Sequence, residues 1–390
     1  MKTTEAFDGL ACTGCGESYD ADEHGRCPDC DAPLTPMYDY AAVDADAFGN
    51  ADAPGHWRFE SLLPFPAADA PTASEGDTPL VETERLADEL GVGSLRVKDE
   101  GRNPTGTFID RGMSVAVAAA AAADVEPVAL AAAGNAGQSA AAYTGRVDLR
   151  SYAFVPSRTA FSNKAMVNVH GGEMRVVGGR YADAAAAVDD QLEADYYSLQ
   201  EFTTPYRHDG AKTVSYELFE DAGVPDAVVL PASTGELVVG VVRGFRDLVA
   251  LGVADELPAV YVAQTEGCAP IAAALRRDAD AVERWSNPDT IIGELEIDAP
   301  AGGDVALDAL RDVDAAAVTV SDSDALESAV TAAQTSVLEV GGAGGVALAA
   351  AWTLADEGDL DGDDDVVVVN PDDGVKTPDV LRSHLMGKGI

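Results

Sequence analysis

Apolar positions recur along most of the chain in two periods, short continuous runs and helical stripes, and the two alternate. Between residues 81 and 204 the pattern predicts a helix over Glu84–Leu90, a strand over Ser94–Lys98, a helix over Thr107–Ala123 and a strand over Pro127–Ala132. It continues as helix Gln138–Gly145, strand Leu149–Val155, helix Arg158–Val169, strand Met174–Val177 and helix Ala182–Ala194. From residue 211 the series resumes with helix Lys212–Glu220, strand Ala227–Leu230, helix Glu236–Leu251, strand Ala259–Gln264 and helix Ala269–Asp278. Signals weaken between Ala279 and Asp314. They recover as strand Ala316–Val320, helices Ser323–Gln334 and Gly344–Ala355, and strand Asp365–Asn370. Apolar strands alternating with helices imply parallel sheets covered on both faces. In such folds ligands sit beyond the carboxyl ends of the strands, so the loops after strands carry the information.

The 390 residues suffice for two core-bearing domains and a small module. Charge changes the picture. There are 68 acidic against 25 basic residues, a net −43, spread over helices and loops without an acidic tail. This argues against nucleic-acid and anionic-membrane partners, which need basic patches. The 47% hydrophobic content argues against disorder. We expect a protein adapted to high salt, where a Debye length of about 3 Å at 1 M makes such self-repulsion tolerable. MKTTEAFDGL has no apolar signal core, and the alanine run Val115–Ala123 is too short to span a bilayer. A soluble cytoplasmic protein is expected.

Four of the five cysteines lie in residues 1–40, as Cys12-Thr-Gly-Cys15 and Cys27-Pro-Asp-Cys30. Two CxxC knuckles point to a tetrahedral thiolate site for structural zinc, in preference to disulfides in a cytosolic chain. Four cysteine ligands leave no open position for catalysis. His24 reads as a surface residue and Cys268 as a buried small apolar one.

The segment Lys98–Gly112 reads KDEGRNPTGTFIDRG. It resembles the cofactor-lysine segment of the threonine synthases, close to KDEGxNPTGSFKDRG, in the fold-type-II pyridoxal-phosphate (PLP) enzymes. Trp57–Pro64 resembles that family's WRYRELLP, Gly76–Leu80 its GNTPL turn, and Tyr38-Asp39-Tyr40 the end of its archaeal N-terminal ribbon. The resemblance spans essentially the whole chain. It implies an α/β fold with two parallel-sheet, three-layer domains of the tryptophan synthase β type plus an N-terminal zinc ribbon. The expected division is 1–40 for the ribbon, 41–95 with 205–390 for the large domain, and 96–204 for the small domain.

Where the family carries its Schiff-base lysine, this chain has Ile109. A branched hydrocarbon cannot attack a carbonyl or carry a proton. Lys98, Lys164 and Lys212 fall at positions that read as ordinary family lysines. The loop Ala131–Gly137 resembles the family's S/T-x-GN segment. It keeps Gly134 and Asn135, whose family counterpart contacts the PLP ring oxygen, but has Ala133 in place of the hydroxyl residue. Gly134-Asn135 also serves as a plain strand-to-helix turn. The loop Pro231–Leu237 resembles PVGxGGN, the phosphate cradle, but has Glu236 for a glycine and Leu237 for the asparagine. Glu236 also reads as an acid at its own helix N-terminus. Ser233, Thr234 and Gly235 remain as residual binding positions. The loop Val369–Pro378 resembles VLTGHGLKDP, with Pro371 replacing the threonine that meets the pyridine nitrogen and Asp372 replacing glycine.

The expected function is a threonine-synthase-like protein without covalently bound PLP, a catalytically silent binding or regulatory paralogue. A small anionic metabolite is its expected ligand, and it assembles as a homo-oligomer or with an active relative. The alternative is a PLP-dependent threonine synthase or related lyase acting on O-phosphohomoserine. A weaker third reading is a PLP-free enzyme using Asp110, Asp372 or Glu236, with no nucleophile–base pair legible. Asn135, Ser233, Thr234 and Lys212 are the residues expected to touch a ligand.

Overall fold

The computed structural model describes residues 2–192 and 196–387. Its strands are β1 (Phe7–Cys12), β2 (Ser18–Tyr19), β3 (Leu34–Tyr38), β4 (Leu80–Glu82), β5 (Ser94–Asp99), β6 (Val128–Ala131), β7 (Ser151–Pro156), β8 (Glu173–Val177), β9 (Tyr197–Ser198), β10 (Ala227–Pro231), β11 (Ala259–Thr265), β12 (Ala315–Val320) and β13 (Asp365–Asn370). Its α-helices are α1 (Glu84–Leu90), α2 (Ile109–Ala123), α3 (Asn135–Gly145), α4 (Phe161–Val169), α5 (Tyr181–Gln191), α6 (Arg207–Ala211), α7 (Thr213–Ala222), α8 (Glu236–Ala250), α9 (Pro270–Arg276), α10 (Gly303–Leu310), α11 (Asp322–Ser336), α12 (Gly342–Glu357) and α13 (Pro378–Gly387).

The chain forms two compact units. The first comprises residues 1–77, 109–216 and 243–255, and the second 78–108, 217–242 and 256–390. The first holds the antiparallel ribbon β2-β1-β3 and a parallel sheet ordered β8-β7-β6-β9. The second holds a six-stranded sheet ordered β12-β11-β10-β13-β5-β4, parallel except for β4. Its central strands are apolar throughout because both faces are covered. Val366 to Val369 are all at most 1% exposed. The core of this unit packs β5, β10 and β13 against α11 and α12 through Leu95, Val97, Val229, Val366, Ala325, Val346 and Leu354.

This grouping differs from the expected domain boundaries. The boundary at residues 95 and 96 would cut β5, which pairs residue by residue with β13 from Ser94↔Asp365 to Asp99↔Asn370. Residues 41–77 group with 109–216, because Trp57, Leu63 and Phe65 are buried in the same core as Met113, Val117 and Tyr143. Sequence periodicity marks strands but does not assign them to a sheet.

Element types follow the sequence closely, and the differences have local causes. The helix expected from Thr107 begins at Ile109, because Thr107 bridges Asp372 and the Phe108 N–H donates to the Pro371 carbonyl at 2.9 Å. The helix expected from Gln138 begins at Asn135. The helix expected to reach Ala194 runs to Gln191, and Ala194 lies outside the described residues. In the weak region 279–314 the structure has α10, an eight-residue helix.

Candidate functional site

Four sulfurs converge in the ribbon. Cys12 Sγ lies 3.4 Å from Cys30 Sγ, Cys15 Sγ lies 3.7 Å from Cys27 Sγ, and all four lie within 4.8 Å of one another. A disulfide needs about 2.05 Å. A tetrahedron with Zn–S near 2.3 Å has edges of about 3.8 Å, so the spacing suits a single zinc ion. The Gly14 and Cys15 N–H groups point at Cys12 Sγ, at 3.3 and 3.4 Å, which suits a thiolate. His24 stands apart from the sulfurs, bonded to the Asp22 carbonyl and stacked on Tyr197. Cys268 is fully buried, as expected, with its Sγ 3.4 Å from the Ile297 carbonyl oxygen.

In the second unit the topological switch lies at β10 and β13. β11 lies on one side of β10 and β13 on the other. The loops after these two strands are therefore the places where a parallel sheet opens toward a ligand. After β10, the Thr234 carbonyl accepts from the Gly302 N–H at 2.9 Å. Gly235 takes φ +95°, where any side chain would be strained and a Cβ would sit 2.8 Å from the Gly302 carbonyl oxygen. Ser233 and Thr234 are half-buried. Glu236 opens α8 and is only 3% exposed, so a buried carboxylate occupies the first turn of this helix. After β13, Pro371 follows Asn370, whose Nδ2 donates to Asp99 Oδ1 at 2.8 Å. Asp372 is 3% exposed and its carbonyl accepts from the Gly341 N–H at the start of α12.

A residue that sequence reasoning missed joins this loop. Glu294 Oε1 is buried without a hydrogen-bond partner. Burial, and then the Asp372 carboxylate, push the Glu294 carboxyl up to about 8. At neutral pH it is therefore a proton-bearing acid. It sits in a single 3₁₀ turn, Gly293–Leu295, too short for its sequence to carry a periodic signal.

In the first unit the switch lies at β6, flanked by β7 and β9. The loop after β6 leads through Gly134 to Asn135, 9% exposed, in the first turn of α3. The Thr159 hydroxyl, from the loop after β7, donates to the Ala133 carbonyl at 3.1 Å. Ile109, the first residue of α2, is half-buried and packs against the core formed by Met113, Ala116 and Tyr206. Asp110 behind it accepts from Ser139 Oγ at 2.6 Å, and Arg111 Nη1 donates to Thr213 Oγ1 at 3.1 Å.

Lys212, expected near a ligand, is instead committed inside the first unit. It is 0% exposed, 2.9 Å from Asp209 and 3.3 Å from Asp247, with Nζ over the Tyr38 ring. Lys98 is likewise fully buried, 2.9 Å from Glu217 and donating to the Thr78 carbonyl at 2.7 Å. Lys376 donates to the Thr105 carbonyl at 2.6 Å, and Lys164 to the Ser157 carbonyl at 2.8 Å.

One serine, histidine and carboxylate do meet in the first unit, but not as a hydrolytic triad. His56 Nε2 faces both Ser114 Oγ at 3.2 Å and Glu75 Oε1 at 3.3 Å, while Nδ1 faces Thr213. A triad needs opposite ring nitrogens for serine and carboxylate. All three residues are 0% exposed, and Glu75 also accepts from Trp57 Nε1 and the Tyr143 hydroxyl. The cluster is a structural network, and its hydrogen bonds outweigh burial to hold Glu75 down at about 2.

Comparison with known proteins agrees with this architecture. Residues 71–372 match the family described as pyridoxal-phosphate dependent enzyme. A threonine synthase of Methanosarcina acetivorans is 32% identical over 95% of this chain and 93% of its own length. One of Methanocaldococcus jannaschii is 31% identical over 94% and 93%. Among solved structures, a fungal L-serine ammonia-lyase from Rhizomucor miehei superposes with a TM-score of 0.69 over 79% of this chain and 97% of that one, at 19% identity. Threonine deaminase isoform 2 from Solanum lycopersicum gives 0.66 over 80% and 88%, at 18% identity. With its α/β sheets, its cysteine-bearing ribbon and these full-length relatives, the chain belongs to the pyridoxal-phosphate-dependent enzyme family of fold type II, on its threonine synthase branch.

Proposed function

We propose that this protein is a catalytically silent relative of threonine synthase, a binding protein that keeps the fold and holds no coenzyme covalently. One observation carries the reading: residue 109 is isoleucine. Imine formation and the later proton transfers both need a nitrogen of tunable pKa, and a hydrocarbon supplies neither. The residues around it do not fit the coenzyme either. A phosphate at the first turn of α8 would meet the buried Glu236 carboxylate. At about 5 Å and an effective dielectric near 20 that repulsion is roughly 3 kcal/mol. Pro371 has no hydroxyl or N–H to offer a pyridine nitrogen. The lysines at 98, 212 and 376 are each tied to a carboxylate or carbonyl. Zinc in the ribbon is the structural cofactor of this reading, and an anionic metabolite its ligand.

The relatives bearing the name threonine synthase favour a second reading, a PLP-dependent lyase acting on O-phosphohomoserine. Adding PLP to the purified protein, then reducing with borohydride, separates the two. We expect no visible imine band and no adduct by peptide mass. We also expect Ile109→Lys to leave threonine formation undetectable, because the phosphate and ring-nitrogen positions stay altered. An adduct trapped on any lysine of the wild-type protein selects the lyase.

A further inference from the structure

We infer that the ribbon is a metal-responsive clamp on the segment that follows β9. When the four thiolates hold a metal, Arg26 fixes the strained residue Phe202. When they do not, the segment 199–206 is released. The inference concerns the first unit alone and is independent of whether the protein is catalytically silent.

The clamp is one loop of the ribbon. Ala21, His24 and Arg26 all lie between the two cysteine knuckles, and each touches the stretch 197–206. The His24 ring stacks on Tyr197 with centroids 4.9 Å apart. The Tyr206 hydroxyl donates to the Ala21 carbonyl at 2.7 Å, and Arg26 Nη1 donates to the Phe202 carbonyl at 3.1 Å. Arg26 is aimed by the second knuckle. It directly precedes Cys27, and its Nε donates at 2.7 Å to the carbonyl of Asp31, next to Cys30. The Asp31 N–H in turn donates to the Cys27 carbonyl at 2.9 Å. The direction of this guanidinium therefore depends on the closed turn that a four-thiolate site holds.

The clamped residue has a second state to relax into. Phe202 takes φ +55° and is 1% exposed. A bulky side chain rarely adopts the left-handed backbone, and does so only where its surroundings hold it there. Here the ribbon holds it from two sides. Arg26 fixes the carbonyl. The ring stacks on His208 with centroids 5.2 Å apart, and His208 Nε2 lies 3.0 Å from Thr35 Oγ1 in β3. Freed from both, residue 202 relaxes to negative φ and redirects the chain on either side.

That redirection reaches the carboxyl edge of the sheet. β9 runs parallel to β6, so the segment after it leaves from the side where such sheets meet ligands. Gln200 Oε1 accepts from the Ala131 N–H at the end of β6, at 2.7 Å, and its Nε2 donates to the Tyr181 hydroxyl at 2.6 Å. Metal state is thereby coupled to the order of this edge, and the coupling runs in both directions.

The test is hydrogen exchange in molar KCl on wild-type protein and Arg26→Ala, each zinc-loaded and chelated. The Thr203 and Thr204 N–H groups, which donate to the Gln200 carbonyl at 3.1 and 3.0 Å, report on the segment. Zinc removal from wild type should speed their exchange about tenfold or more, with Ala153 and Phe154 in β7 unchanged. Zinc-loaded Arg26→Ala should already exchange that fast at Thr203 and Thr204, while keeping its zinc and protected β1 amides. Because coupling is reciprocal, it should also release zinc at about tenfold less chelator than wild type. Unchanged exchange at Thr203 and Thr204, either in chelated wild type or in the loaded variant, overturns the inference. A rise shared equally by β7 is general unfolding and overturns it too. If Arg26→Ala does not fold or does not retain zinc, Tyr206→Phe, which deletes only the hydroxyl bonded to Ala21, takes its place with the same outcomes.

Discussion

Ile109 and Asn163 illustrate two kinds of residue-scale information. At position 109 the side-chain type alone carries the conclusion, since no environment turns a hydrocarbon into a nucleophile. At position 163 type carries almost nothing, because an asparagine three residues into a helix reads as solvated. Only its burial and its missing partner single it out. Glu294 is a third case, an acid in an aperiodic stretch whose proton is held by burial and by Asp372. An unfolded glutamate titrates near 4.5 and the folded one at about 8, so between those values the folded state binds more protons than the unfolded state. Stability contributed by this proton is full below 4.5 and is lost as pH rises toward 8. We expect Glu294→Gln to melt a few degrees higher than wild type at pH 8 and to lose most of that advantage near pH 4.5, as read by thermal melts across the range.

Elements were largely legible because their signals are local. Glu84–Leu90 and Asp365–Asn370 appear with the expected bounds, and the cysteine knuckles converge as their spacing implies. Helix starts were less legible. The first turn of α2 is decided by a bridge from Thr107 to Asp372, a residue 265 positions away. The ribbon is also an element whose stability lies outside its own core. Beyond Leu10 and Leu34, its anchors are the Tyr38 bond to Asp209 at 2.5 Å, the Arg243 bond to the Pro36 carbonyl and the Arg26 bond to the Phe202 carbonyl. Removing metal from four thiolates frees those strands. We expect about one zinc per chain by elemental analysis. A strong chelator should abolish protection of the β1 and β3 amides in hydrogen exchange while the parallel sheets stay protected. Protection unchanged after complete zinc removal would show that the anchors alone suffice.

At the scale of the whole molecule, charge is the dominant fact. A net −43 on one chain stores self-repulsion that dilute buffer does not screen. We expect the far-ultraviolet circular dichroism of the folded protein to collapse on dialysis to low salt and to recover in molar KCl. Equal melting temperatures in both buffers would refute salt dependence. Among the described residues no helix is long and apolar enough to cross a membrane.

Local chemistry made several features readable without coordinates. These were the alternation of strands and helices, the four-thiolate knuckles, the missing amine and the excess of acid, each a property of side-chain type or short-range spacing. Folding decided which strands share a sheet, as with β5 beside β13, and which acids are buried, as with Glu236, Asp372 and the Oε1 atom of Glu294. It also committed Lys212 to two aspartates and left the Asn163 Oδ1 without a hydrogen-bond partner. Burial and pairing depend on residues far apart in the chain, and desolvation acts only where distant segments exclude water together.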